Sequence, residues 1–130
     1  MVFLTNRQSA IKVHADSAGY NREVQVHSRL AQHDVRQVRR VTVPTLRDFD
    51  EELLILEMSV VSPPFILDFG GAYLDIPAPH SIDPEIQSRW LEERKEKFDG
   101  NFMTINAILA DLETMYGIFL TDVHPGNIRL

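Results

Sequence analysis

The residue types best suited to chemistry stand near the end of the sequence, in the segment Asp-Val-His-Pro-Gly-Asn over residues 122–127. An aspartate carboxylate can accept the proton of an attacking hydroxyl group, and an asparagine amide oxygen can help to hold a magnesium ion. An Asp followed five positions later by an Asn, with an apolar segment on each side, is typical of a phosphoryl-transfer loop. The pattern predicts Asp122 as a catalytic base and Asn127 as a metal ligand.

The same segment has a plainer interpretation. Pro-Gly-Asn favours turns whatever its role, so the segment could be no more than a tight turn. We interpret His124 as part of the loop framework rather than as a base, because a lone histidine is more often structural than catalytic. The other histidines, His14, His27, His33 and His80, are scattered and lack the spacing of a zinc site.

A second candidate group lies near the start of the chain. Ala-Ile-Lys-Val over residues 10–13 alternates as a strand does, and Glu23 lies on the helix that is predicted to follow. An ion pair between Lys12 and Glu23 would hold the lysine amine in place. The alternative is that both are ordinary surface charges, since alternating strands often carry an exposed lysine.

The two groups together resemble kinase-like phosphotransferases, and the resemblance covers nearly the whole chain in order. The His-Pro-Gly interior of the loop is similar to that of aminoglycoside and choline phosphotransferases and of the atypical kinases of quinone biosynthesis. The resemblance implies ATP and Mg²⁺ as cofactors, bound in a cleft between a small sheet and the helices. Lys12 would bind the α- and β-phosphates, Glu23 would hold Lys12, and adenine would pack near Met58 to Val61.

Two features of that family are missing where they are expected. A glycine-rich loop should precede the lysine strand, but the eleven residues before Lys12 contain no glycine. A magnesium-binding Asp should follow Asn127, but only three residues come after it. Asp-Phe-Gly at residues 68–70 has the sequence of the magnesium-binding triplet of kinases. It precedes the loop instead of following it, so we interpret it as a coincidental tripeptide in a hinge or linker. Only a permuted chain, or segment exchange with a second copy, would bring Asp68 to a metal ion.

Three functional hypotheses follow. The first is a minimal kinase-like protein, catalytically impaired or inactive, that retains the binding of a nucleotide or a partner. The second is an active ATP-dependent phosphotransferase completed by another chain. The third is a non-kinase α+β interaction module in which the loop is only a turn. A homodimer is also expected, because so reduced a helical lobe would expose apolar faces of its last helix.

The order of predicted elements indicates a single kinase-like α+β domain over residues 1–130, with a small antiparallel sheet. A sheet lobe with one inserted helix is predicted over 1–61, a hinge and connector over 62–82, and a reduced helical lobe over 83–130. Helices are predicted over 21–32, 84–98 and 102–116, and strands over 2–5, 9–13, 41–43 and 52–61. Residues 118–120 and 128–130 are predicted to pair as a terminal hairpin around the loop.

Helical periodicity also predicts which residues face the core. The expected inward residues are Tyr20, Val24, His27, Leu30 and Ala31 on the first helix, Ile86, Trp90, Leu91 and Phe98 on the second, and Phe102, Ile105, Ile108, Leu109, Leu112 and Met115 on the third.

The composition is that of a soluble globular protein. Of the 130 residues, 44% are hydrophobic and 25% are charged, and the absence of cysteine excludes disulfides and thiol chemistry. A net charge of -6 argues against nucleic acids and anionic membranes as partners. The sequence shows neither an apolar run of membrane-spanning length nor an export signal, so a cytoplasmic location is expected.

Overall fold

A computed structural model of the chain describes residues 2–77 and 83–130, which adopt an α+β fold with mostly antiparallel sheets. The helices are α1 (Ser17–Gln32), α2 (Pro84–Phe98) and α3 (Phe102–Tyr116). The strands are β1 (Val2–Leu4), β2 (Ser9–Val13), β3 (Gln37–Val38), β4 (Val41–Thr42), β5 (Leu46–Asp50), β6 (Ile55–Ser59), β7 (Phe65–Ile66), β8 (Tyr73–Leu74), β9 (Ile118–Phe119) and β10 (Ile128–Arg129). Part of the predicted connector (62–82), including His80, falls within residues 78–82, outside the described residues.

The largest described sheet has the strand order β1-β2-β6-β5, with every neighbouring pair antiparallel. The predicted first hairpin and the apolar strand beside it are confirmed, although β6 begins only at Ile55 because residues 51–54 form a turn. The sequence analysis missed β5. This strand lies at the sheet edge with most of its residues exposed, so its sequence, Leu-Arg-Asp-Phe-Asp, carries no alternating apolar signal.

Helix α1 begins four residues earlier than predicted. The Asp16 carboxylate caps it by accepting a 2.8 Å hydrogen bond from the Gly19 amide, which satisfies one of the free N–H groups at the helix start. The predicted inward face is partly wrong: Glu23 and Val26 are buried, whereas Ala31 is exposed. The face is rotated because the Glu23 carboxylate finds cationic partners in the interior.

Helices α2 and α3 have the predicted bounds. Asp83 caps α2 through the amides of Glu85 and Ile86, and α3 ends at Gly117, whose φ of 66° is the left-handed conformation that glycine favours. The apolar stripe of α3 is buried from Ile105 to Leu112. Two predictions are wrong, because Ile86 is 46% exposed and Met115 is 59% exposed. On α2, Phe98 is buried as predicted, and Arg94, which was not among the expected inward residues, is buried as well.

The predicted terminal hairpin is also wrong. Strand β9 pairs with β8, and β10 pairs with β7, so the two last strands belong to different sheets. The loop between them bonds to the middle of the chain as well as within itself. The Leu67 amide donates to the Asn127 carbonyl over 2.9 Å, and the Thr121 hydroxyl donates to the Gly71 carbonyl.

One core joins these elements. It contains buried residues from α1, α3 and the short strands, including Val26, Leu30, Ile66, Phe69, Ile105, Ile108, Leu112, Ile118 and Ile128. Among the described residues, no helix combines the length and the apolar character that crossing a bilayer requires.

Candidate functional site

Lys12, on β2, and Glu23, on α1, meet as predicted. The lysine Nζ donates a 2.8 Å hydrogen bond to Oε2 of Glu23, whose side chain is completely buried. His14 follows the end of β2, two residues after Lys12, and its Nε2 is 2.7 Å from the same carboxylate oxygen. The sequence analysis did not select His14, although the two-residue spacing from Lys12 was a usable signal.

Glu23 remains ionised in this buried position. Burial by itself would raise its pKa, but contacts with His27 and Lys12 outweigh that effect and lower the pKa to about 2. A buried charge without partners would be strongly unfavourable. The carboxylate therefore depends on the surrounding cations, and Lys12 is held in place in return.

Asp68, which the sequence interprets as part of a coincidental tripeptide in a hinge, lies in contact with Lys12. Its Oδ1 is 2.6 Å from the Nζ of Lys12 and accepts a 2.7 Å hydrogen bond from the Gly70 amide. The side chain is 34% exposed, so one carboxylate oxygen can still reach solvent. Asp68 precedes the loop in sequence but lies beside it in space, bonded through its backbone to Asn127.

The Asn127 side chain joins the loop to the Asp68 segment. Its Oδ1 accepts a 2.6 Å hydrogen bond from the Asp68 amide, while its Nδ2 donates to the carbonyl of Asp68 over 3.0 Å and to the carbonyl of Asp122 over 2.7 Å. The residue is 2% exposed. Both amide protons are used, and one lone pair of Oδ1 remains for a further partner. Lys12 and Asn127 thus both contact Asp68.

The Asp122 carboxylate, in contrast, faces solvent. Its side chain is 45% exposed, and its Oδ1 is 2.9 Å from Nε2 of His124. Nδ1 of the same ring accepts a 3.0 Å hydrogen bond from the Gly126 amide, so the proton of a neutral ring resides on Nε2 and points at Asp122. A Cβ on Gly126 would stand 2.8 Å from His124, so glycine is required for this approach. This contact fits the predicted framework role of His124.

An apolar cavity of about 280 Å³ opens beside Lys12 and Asp68. Its apolar lining comes from the first part of the chain, with Val2, Leu4, Ala10, Pro44, Met58, Val60 and Val61, and from Leu67 just after β7. The cavity therefore has an apolar interior and a charged end. This combination suits a ligand with a flat apolar part and a polar, anionic part.

The described residues contain no group of three or more histidine and carboxylate side chains arranged to hold a metal ion. A site with one or two protein oxygens suits magnesium only when ligand phosphates and waters complete the coordination sphere. Asp68 and Asn127 could supply such oxygens. Comparison of the chain with protein-family models, with curated proteins and with solved structures finds no match.

Proposed function

We propose that this chain is a minimal kinase-like protein that binds an adenine nucleotide with magnesium and has weak or no phosphotransferase activity. The observation that carries the proposal is the contact of Lys12 with both Glu23 and Asp68 at the charged end of one apolar cavity, where the Asn127 side chain holds the Asp68 backbone. These residues come from separate parts of the sequence, so a local turn motif does not account for their meeting.

The cavity supports the adenine part of the proposal. Met58, Val60 and Val61 line it, and the resemblance to kinase-like enzymes implies adenine packing in this stretch. Ala10 on β2 lines the opposite region and leaves room because its side chain is small. A planar base would gain stability by displacing water from these surfaces.

Lys12, Asp68 and Asn127 support the phosphate part. The amine of Lys12 is fixed by Glu23 and could bind α- and β-phosphate oxygens. Asp68 and the free lone pair of Asn127 would hold magnesium together with phosphate oxygens. The magnesium-binding Asp that the resemblance requires after the loop is thus supplied by a residue 59 positions before Asn127.

Weak catalysis is expected because the turn that would cover the phosphates offers them few backbone amides. The turn between β1 and β2 contains no glycine, so no glycine-rich backbone is available there to donate amides to the transferred group. Preorganised donors of that kind supply much of the transition-state stabilisation in phosphoryl transfer. Asp122 is accessible enough to receive a proton, so slow turnover is compatible with this geometry.

A thermal-shift experiment with ATP and magnesium tests the binding proposal. At a nucleotide concentration of about 100 times Kd, binding adds about 2.7 kcal/mol to the unfolding free energy, and Tm should rise by roughly 10 °C for a domain of this size. Lys12→Ala should abolish the rise, and Asp68→Asn should remove its dependence on magnesium. Lys95→Ala is the matched control, because this exposed amine on α2 does not line the cavity.

Lys12→Ala also removes a partner of Glu23 and can weaken the fold, so a second variant is needed. Ala10→Leu fills the cavity without changing any charge and should block the nucleotide while the unliganded protein keeps its stability. If the wild-type protein shows no nucleotide-dependent rise in Tm, the third hypothesis, an interaction module with a simple turn, is favoured. Turnover of labelled ATP that disappears in Asp122→Asn would instead support the active phosphotransferase.

A further inference from the structure

A second charged site lies between α2 and α3, away from the cavity described above. Arg94 on α2 is only 6% exposed, and its Nε is buried without a hydrogen-bonding partner. Within residues 2–77 and 83–130, no carboxylate forms an ion pair with Arg94. Buried guanidinium groups normally have an anionic partner, because an unpaired charge in the interior is costly.

Aromatic rings hold the Arg94 guanidinium by its faces. Its central carbon lies 3.5 Å from the centre of the Trp90 ring and 5.8 Å from the centre of the Phe102 ring. Cation–π contacts of this kind fix the plane of the group and leave its N–H edge for a ligand. Burial lowers the pKa of Arg94 to about 10, against the attraction of Glu113, so the group stays charged at neutral pH.

A cavity of about 230 Å³ opens at this position. Besides Trp90 and Arg94, the polar residues Gln87, Asn106 and Glu113 line it. The amide groups of Gln87 and Asn106 can donate hydrogen bonds to an oxyanion, and burial raises the pKa of Glu113 even though Arg94 opposes that rise. The cavity therefore combines a fixed cation, neutral donors and enough volume for a small molecule.

We propose that this cavity binds a small oxyanion, a carboxylate or a phosphate, through the guanidinium of Arg94. The planar fork of an arginine matches the two oxygens of either group, and such charge-assisted pairs are among the stronger hydrogen bonds in proteins. The ligand would supply the direct ion-pair partner that no described carboxylate, Glu113 included, provides within 4 Å. The proposal is independent of nucleotide binding, because none of these residues lines the cavity beside Lys12.

Trp90 allows a direct test, because it is the only tryptophan in the chain and lies against Arg94. The wild-type protein is titrated separately with succinate and with inorganic phosphate, at an ionic strength held constant with sodium chloride. A saturable change in tryptophan fluorescence is expected for at least one of them, and the anion that saturates at the lower concentration identifies the ligand class. A response that chloride reproduces, or no saturable response, would overturn the proposal.

Two further variants make the test specific. Arg94→Met should weaken the saturating response at least tenfold, whereas Lys95→Met, which removes an exposed cation from the same helix, should leave it unchanged. Glu113→Gln keeps the shape of the side chain and removes a competing negative charge, so it should tighten binding several-fold. Glu113→Gln decides the matter if Arg94→Met does not fold, since an unchanged affinity in this variant would also contradict the proposal.

Discussion

Glu23 organises the charged residues of the candidate site. Its buried carboxylate contacts the Lys12 amine and the His14 ring at one oxygen, and Lys12 in turn contacts Asp68. Each of these side chains is held in position by another polar or charged side chain rather than by water. The arrangement is therefore sensitive to the ionisation of Glu23, and pH provides a way to measure how much that ionisation stabilises the fold.

We predict that ionised Glu23 stabilises the folded state at neutral pH and that this contribution is lost in acid. The pKa of Glu23 is about 2 in the folded chain and has an ordinary value of 4.5, so the unfolded chain binds the proton more readily. Stability should therefore fall as pH decreases from about 5 to about 2, by on the order of 3 kcal/mol from this group. Urea unfolding at several pH values measures the slope, with Glu23→Gln for comparison. Equal slopes in both proteins would contradict the prediction.

At the same scale, residue type alone identified most of the candidate site. Motifs whose chemistry depends on residue type and short spacing indicate Lys12, Glu23, Asp122 and Asn127. Of these, Lys12, Glu23 and Asn127 lie around Asp68. Asp68 was rejected on its order in the chain. Order in sequence does not limit proximity once strands pair, and the pairing of β7 with β10 could not be derived from local residues.

At the scale of the secondary-structure elements, local sequence predicts the ends of α2 and α3 more accurately than it predicts which face of a helix is buried. The bounds of α2 (Pro84–Phe98) and α3 (Phe102–Tyr116) both agree with the predicted ranges, with Asp83 and Gly117 as their caps. Each depends on backbone groups within one turn, so few distant contacts can override them. The inward faces were less accurate, because partners on other elements decide which side of a helix is buried.

We predict that Gly117→Ala destabilises the chain. Gly117 has a φ of 66°, in which a side chain costs about 1 kcal/mol. An added Cβ would also overlap the Asp75 carboxylate and approach Arg29, which pair with each other across α1 and the end of β8. The total loss should be about 2 to 3 kcal/mol of unfolding free energy.

Gly100→Ala is the matched control for that experiment. A Cβ at Gly100 would meet no atom within 4 Å, so the substitution should change the unfolding free energy by no more than about 0.5 kcal/mol. Thermal or urea unfolding of both variants measures the difference. Equal stability of the two alanine variants would show that the end of α3 is not constrained as we describe.

The pairing of the first hairpin was predicted correctly, but the pairing of the last two strands was not. The strands β9 and β10 have two residues each and are separated by the loop, a spacing that suits a hairpin. They pair instead with β8 and β7, because the loop donates and accepts its hydrogen bonds along residues 67–71. Short strands carry too little pattern to specify a partner.

At the scale of the whole molecule, one hydrophobic core joins the last strand to the middle of the chain. Ile128 on β10 is 1% exposed and packs in the same cluster as Ile66 and Phe69, which flank the position of Asp68. This packing aligns the loop with the middle of the chain. Damage to it should therefore weaken both the fold and the site.

We predict that Ile128→Ala lowers the unfolding free energy by about 2 to 4 kcal/mol, as expected for a large apolar residue removed from a closed core. It should also weaken nucleotide binding, because Asn127 precedes it and bridges Asp68 and Asp122. Met103→Ala is the control: this residue is 83% exposed and should change stability by no more than about 0.5 kcal/mol. An Ile128 variant as stable as the Met103 variant would contradict the shared core.

Local sequence predicts the α+β class, the bounds of α2 and α3 and the residue types able to do chemistry, since all of these depend on periodicity, caps and side-chain chemistry within a few residues. Contacts across the fold place Asp68 beside Lys12 and Asn127, bury Arg94 beside Trp90, and pair the last strands with the middle of the chain. These features arise from contacts between residues far apart in sequence. Burial and charge pairing fix such contacts, and neither can be read from a local segment.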